Sequence, residues 1–125
     1  MQLHKSGEDY LEAILVLEKL NGQVRSLDVA EYMGVSKPSI SNAVRLLREG
    51  GFLRMDENKL LVLTELGREV AERIYERHCL LTRGLTALGV DPVIAEQDAC
   101  RIEHDLSRES FDRLKAYIEA RIGRE

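Results

Sequence analysis

Residues Ala30-Glu31-Tyr32-Met33-Gly34-Val35-Ser36-Lys37-Pro38-Ser39-Ile40 decide how this chain folds. Gly34 supplies the positive φ that a tight turn between two helices often needs. Ala30, four residues earlier, is small enough to let those helices pack closely at a steep angle. Ser36 is an N-cap candidate for the second of them, with Pro38 near its first position. On the upstream side, Ser26 is placed to cap a short helix through Asp28, Val29, Ala30, Tyr32 and Met33. Downstream, Ile40, Val44, Leu46 and Leu47 recur with helical spacing until Gly50-Gly51 stops the run. Two short helices joined by such a turn form a helix-turn-helix.

The flanks extend this unit. Phe52 to Met55 reads as a short strand, Asp56-Glu57-Asn58 as a turn, and Lys59 to Leu63 as a second strand. Upstream, Tyr10, Leu11, Ile14, Leu15, Leu17 and Leu20 keep a helical period. Ser6 is the expected N-cap there, with Glu8 and Asp9 in the first turn complementing the helix dipole, and Asn21-Gly22 ends the run. After the hairpin, Thr64 is placed to cap a long helix reaching about Leu88 before Gly89. Asp91-Pro92 opens a fifth helix, and Ser107, with Glu109 and Ser110, restarts a last one through Phe111, Leu114, Tyr117, Ile118 and Ile122. The expected fold is mainly α. A winged helix-turn-helix with a small β-hairpin wing occupies residues 1–70, followed by an α-helical domain over residues 71–125. The competing architecture is a helical bundle with an incidental hairpin.

Composition bounds the rest. The chain has 125 residues, 44% hydrophobic and 32% charged, which fits one domain or two small ones. Aromatics are 5% and Trp is absent, so the core must be built from Leu, Ile, Val and Ala. No apolar run approaches the ~18 residues of a membrane helix and no signal peptide opens the chain, so a cytoplasmic protein with no membrane partner is expected. Its two cysteines are then thiols or metal ligands rather than a disulfide. Net charge is −4, so a nucleic-acid footprint must be local. Residues 23–68 carry seven basic against six acidic side chains, a net of +1, which leaves −5 on the remainder. Within that stretch, Ser36, Lys37, Pro38, Ser39, Ser41, Asn42, Arg45 and Arg48 lie on or beside the second helix of the motif, and Arg54 and Lys59 lie on the wing. Small hydroxyls at a helix start approach phosphates closely, Asn42 has the amide chemistry of an adenine reader, and the basic side chains are suited to gripping the backbone.

A second constellation lies further along. Residues 96 to 104 read Glu96-Gln97-Asp98-Ala99-Cys100-Arg101-Ile102-Glu103-His104. If helical, this run sets Cys100, Glu103 and His104 at i, i+3 and i+4 on one face, as thiolate, carboxylate and imidazole donors. Asp9 and Glu12 are an i, i+3 carboxylate pair on the first helix, and His78 lies past the middle of the fourth. Each set has an ordinary reading alone: dipole-complementing acids, a boundary histidine, a small buried cysteine.

Taken together, Asp9-Tyr10-Leu11-Glu12, Ser36-Lys37-Pro38-Ser39-Ile40-Ser41, Leu63-Thr64-Glu65-Leu66-Gly67, Arg77-His78 and Ile102-Glu103-His104-Asp105-Leu106-Ser107 resemble the diphtheria toxin repressor family of metal-dependent transcriptional regulators, in particular its short manganese-regulator branch. The resemblance covers nearly the whole chain. It implies an N-terminal DNA-binding winged helix, a homodimer formed by the later helices, and a metal site built from Asp9, Glu12, His78, Cys100, Glu103 and His104. Glu96 falls at an ancillary ligand position of iron-type members, whereas Thr82 falls where those members have an acidic residue. Asp9 and Glu12 match the manganese-type pattern, and Cys100 the iron-type one, so the site reads as a hybrid. Longer members add an SH3-like domain; with Glu125 as the last residue, its absence is expected.

The implied cofactor is Fe2+ or Mn2+, with Zn2+, Co2+ or Ni2+ able to bind in vitro. The implied partners are double-stranded operator DNA and a second copy of the chain, with no small organic substrate. The expected function is a metal-activated repressor of metal-uptake genes. Without metal, clustered carboxylates repel and leave the DNA-binding modules mobile; a divalent cation reverses that local field. The alternative is a metal-independent winged-helix factor sensing another ligand. A metallohydrolase using Glu103 or Glu12 as base fits poorly, since so many protein donors leave little open coordination. Paired Cys-x-x-Cys clips of a structural zinc module are absent. The dimer surface is expected from Val93, Ile94, Phe111, Leu114, Tyr117 and Ile118.

Overall fold

The computed structural model describes residues 3–123. Its elements run α1 (Lys5–Asn21), α2 (Ser26–Met33), α3 (Lys37–Glu49), β1 (Leu53–Met55), β2 (Leu61–Leu63), α4 (Glu65–Ala87), α5 (Pro92–Ile102) and α6 (Arg108–Ile122). The chain divides into two compact units, Met1–Arg73 and Ile74–Glu125.

In the first unit, α1 packs on α2, α3 and β2, α2 on α3, and α3 on β1. Leu11, Ile14 and Leu15 of α1 and Val29 of α2 are at most 1% exposed. Each such side chain contributes about 1.5–3 kcal/mol by leaving water. Ile40, Val44 and Leu47 line the inner face of α3 and are also buried. Gly34 ends α2 in the left-handed region (φ 70°, ψ 36°), and the Val35 N–H reaches back to the Ala30 carbonyl. Ser36 then caps α3, its hydroxyl accepting the Ser39 N–H at 3.2 Å.

The hairpin is antiparallel, pairing Leu53 with Leu63 and Met55 with Leu61. Its turn is organised by Asp56, whose carboxylate accepts the N–H groups of Asn58 and Leu60, both at 2.9 Å. Arg25 braces the same turn by donating to the Asn58 carbonyl at 2.9 Å. Thr64 joins the wing to α4: its hydroxyl donates to the Gly51 carbonyl and accepts the Gly67 N–H. A Cβ at Gly67 would stand 1.8 Å from the Phe52 carbonyl oxygen, so only glycine lets the start of α4 approach that close. Arg68 and Arg73 of α4 pair with Glu18 and Glu8 of α1.

Two helix starts differ from the sequence expectation. Helix α1 begins at Lys5, with His4 rather than Ser6 as N-cap and no side-chain capping bond. The Glu8 N–H donates to the His4 carbonyl at 3.1 Å, so the helical ladder begins ahead of the serine. Arg25 rather than Ser26 is the N-cap of α2, because Asp28 in the first turn reaches back to the Arg25 N–H at 2.8 Å.

In the second unit, Ile74, Leu80 and Leu81 of α4, Ala95 and Ala99 of α5 and Phe111 of α6 are buried. Asp91 caps α5, accepting the N–H groups of Val93 and Ile94, and Ser107 caps α6. Lys115 of α6 donates to Glu76 of α4 at 2.7 Å, and that hydrogen bond and charge raise the Lys115 pKa. The apolar residues assigned to a dimer surface divide. Val93, Ile94, Leu114 and Tyr117 are exposed. Phe111 is not: it is 4% exposed, with the Arg77 guanidinium 5.1 Å from its ring centre. Ile118 is half-buried and lies against Gly84, where the missing side chain leaves room for it. Both therefore belong to the packing within this unit. No helix of the described residues is long and apolar enough to cross a membrane.

Candidate functional site

The second unit brings three donors together. His78 is carried past the midpoint of α4, Cys100 on the last turn of α5, and Glu103 just beyond that helix. His78 Nδ1 lies 3.0 Å from Glu103 Oε2 and 3.6 Å from Cys100 Sγ. One donor atom from each residue falls within 4.8 Å of the other two. Metal–ligand distances of roughly 2.0–2.3 Å place neighbouring donors about 3–4 Å apart around one ion, and the two contacts above fall in that range.

Glu103 is the centre of the arrangement. Its side chain is fully buried, with one oxygen beside His78 and the other 3.4 Å from Nε2 of His104, itself 2% exposed. That second oxygen, Oε1, makes no hydrogen bond among the described residues. A buried carboxylate oxygen without a hydrogen bond costs free energy in a metal-free protein, and it is an unmet coordination position. Nitrogen, thiolate and carboxylate donors also match a divalent transition metal. On both counts the residues fit such an ion.

The helix expected to carry Cys100, Glu103 and His104 ends earlier than the sequence suggests. Helix α5 stops at Ile102, Glu103 is its C-cap (φ −60°, ψ −24°), and His104 lies in the following turn. Because Glu103 keeps helical backbone angles, its i, i+3 relation to Cys100 survives. Asp9 and Glu12 are half-buried residues of α1 in the first unit. Glu96 is exposed one turn before Cys100 and is not among the three clustered donors. Thr82 donates its hydroxyl to the His78 carbonyl at 2.7 Å, a bond within its own helix. Cys79 and Cys100 form no disulfide.

The first unit presents a different chemistry. Ser36, Lys37, Pro38, Ser39, Ser41, Asn42, Arg45, Arg48, Arg54 and Lys59 are all exposed. An open cleft of about 650 Å³ between α3 and β1 is lined by Ser26, Ser41, Arg45, Arg48, Glu49 and Arg54, among others. Three guanidinium groups against one carboxylate make it suited to a phosphate backbone. Asn42 and Arg45 are linked: the Asn42 amide oxygen accepts from Arg45 at 2.6 Å, and Arg45 also pairs with Glu49. Arg25 was missed in the sequence reading, since a wing brace from so far along the chain leaves no local signal.

A winged helix-turn-helix bearing an exposed basic reading helix, in a chain whose second unit clusters transition-metal donors, defines a metal-responsive DNA-binding protein. Residues 2–61 match the iron-dependent repressor N-terminal DNA binding domain, and residues 64–121 match the iron-dependent repressor metal binding and dimerisation domain. The transcriptional regulator MntR of Salmonella typhimurium is 35% identical over 112 residues, covering 90% of this chain and 71% of the relative. MntR of Listeria monocytogenes is 37% identical over 109 residues, covering 87% of this chain and 77% of the relative. Among solved structures, the manganese regulator SloR superposes with a TM-score of 0.81 at 28% identity, over 95% of this chain and 55% of SloR. The metal-dependent transcriptional regulator MtsR gives 0.83 at 28% identity, over 90% and 53%. The chain thus spans about half the length of those two solved structures. It belongs to the iron-dependent (diphtheria toxin) repressor family of metal-dependent transcriptional regulators. It is a DNA-binding regulator with a metal-binding and dimerisation domain, not an enzyme.

Proposed function

We propose that this chain is a cytoplasmic, homodimeric repressor of metal-uptake genes that binds operator DNA when loaded with Fe2+ or Mn2+. The observation that carries the reading is the Glu103 carboxylate, fully buried between two imidazoles with one oxygen unmet by any hydrogen bond among the described residues. A bound cation supplies the positive charge that this buried carboxylate lacks. His78, Cys100 and Glu103 form the clustered part of the proposed donor set, and His104 flanks it. Asp9 and Glu12 complete the set; their i, i+3 spacing and the family resemblance support this assignment. Glu96 is the candidate for an ancillary ion.

The donor chemistry supports both metals. Asp9, Glu12 and Glu103 are hard oxygen donors that suit Mn(II), whereas Cys100 and the histidines favour Fe(II) over it. Exposed Val93, Ile94, Leu114 and Tyr117 supply an apolar surface for the second subunit. On the operator, α3 of each subunit enters a major groove, and Arg48, Arg54 and Lys59 hold phosphates. Ligation shifts the population from DNA-incompetent to DNA-competent dimers. Cytoplasmic placement follows from that role, since operator DNA lies there.

The test is an operator titration under reducing, anaerobic conditions with Mn(II), Fe(II), Co(II) and Zn(II), on the wild type and on D9A and H104A. Metal-enhanced binding that both variants lose supports the reading. The same enhancement in both variants would overturn the donor assignment.

A further inference from the structure

Helix α5 ends without a glycine stop, with Arg101 as the one basic residue of its last turn. No glycine follows Ile102, and Glu103 stays in the right-handed region rather than turning left-handed. Carbonyls at a helix end and in the turn after it need partners. The Ile102 carbonyl accepts the Asp105 N–H within the turn, and two carbonyls beyond the helix find their donor on α4. Arg77 is 7% exposed, and its Nη1 donates to the Glu103 carbonyl at 3.1 Å and to the Leu106 carbonyl at 2.7 Å. Its guanidinium also stacks against Phe111 at the start of α6. One buried side chain thus fastens both ends of the turn between α5 and α6.

That turn carries Glu103 and His104, while the residue after Arg77 is His78. The guanidinium contributes nothing attractive to a cation site; a positive charge beside it opposes binding. Its Nη1 goes to backbone carbonyls, while the Glu103 side chain lies beside His78 and His104. We infer that Arg77 is the positioning residue of the metal centre, locking the 103–106 turn so that the Glu103 carboxylate faces His78 before any metal arrives. This rests on the metal-site reading above. Partners that orient ligands typically account for 10–100-fold in metal affinity.

The experiment compares wild type, R77K and F111L by Co(II) titration, by Mn(II) competition and by thermal unfolding without metal. Lysine keeps the charge but is too short to reach both carbonyls in the same geometry. F111L removes the stacking and leaves the carbonyl bonds. The expected result is a roughly 10–100-fold loss of Co(II) and Mn(II) affinity in R77K. Its Co(II) ligand-field bands should move, while the thiolate charge-transfer band of Cys100, which α5 carries, persists. F111L should lose stability but keep wild-type affinity. R77K with wild-type affinity and spectrum, or F111L with an equal loss of affinity, overturns the positioning role. A wild type that binds no Co(II) instead overturns the underlying site. A further check needs no variant: the Arg77 guanidinium protons should exchange slowly in the metal-free wild type, and exchange at the solvent rate would contradict the lock.

Discussion

Replacing Glu103 by glutamine keeps the shape of the side chain and its contact with His78 but removes the one fully buried charge of the donor cluster. Without metal, a buried carboxylate with an oxygen lacking a hydrogen bond is a cost, so metal-free E103Q should unfold at the wild-type temperature or above it. With metal the sign reverses. At a free-metal concentration 100 times Kd, binding stabilises the wild type by about 2.7 kcal/mol. For a chain of this length about 3–5 °C accompanies each kcal/mol, giving a rise near 10 °C. Loss of a charged donor should weaken binding by at least about 100-fold, the upper end for orienting partners alone. At the same metal concentration E103Q would then gain only about 0.4 kcal/mol, a rise of ~1–2 °C. Thermal unfolding with and without Mn(II), at one protein concentration, reads both effects. An E103Q protein that is less stable without metal, yet keeps the full metal-induced rise, would refute the reasoning.

Three further outcomes follow from the first unit. G67A drives a methyl group into the Phe52 carbonyl; overpacking costs typically 1–3 kcal/mol and here meets backbone that cannot step aside, so urea unfolding should shift by at least that much, and wild-type stability would contradict the close approach. S36A deletes the α3 cap and should cost about 1 kcal/mol in the same assay; a cost near zero would mean the cap is not needed. R48A should weaken operator and non-specific DNA alike and flatten the salt dependence of binding by about 0.9 in slope, the contribution of one phosphate contact; an unchanged slope would remove Arg48 from the backbone grip.

The turn at Gly34-Val35-Ser36 was fully legible in the sequence, because a positive φ, a serine cap and an early proline act within a few residues of themselves. The caps at Asp91 and Ser107 were legible for the same reason. What escaped depends on residues distant in the chain. Arg77 takes the carbonyls after α5 from 26 and 29 positions away, and no glycine follows Ile102 to mark where the helix stops. The same cause hid Phe111, whose apolar character suits a dimer face equally well until Arg77 is seen against it. The Glu8 to His4 backbone bond starts α1 ahead of the expected Ser6 cap. The donors themselves were readable as residue types, since thiolate, imidazole and carboxylate at i, i+3 spacing have few common purposes. That His78 joins Cys100 and Glu103 was implied by the family resemblance alone, since their separation in the chain gives no local signal of it.

In the proposed function, metal ligation sets operator affinity. Fluorescence anisotropy of labelled operator DNA, titrated with the chain in excess chelator and again in excess Mn(II) or anaerobic Fe(II), tests it most directly. Allosteric coupling of ordinary strength predicts binding tighter by about 5–150-fold with metal, reversed on adding chelator. Equal operator affinity in the two conditions would contradict it.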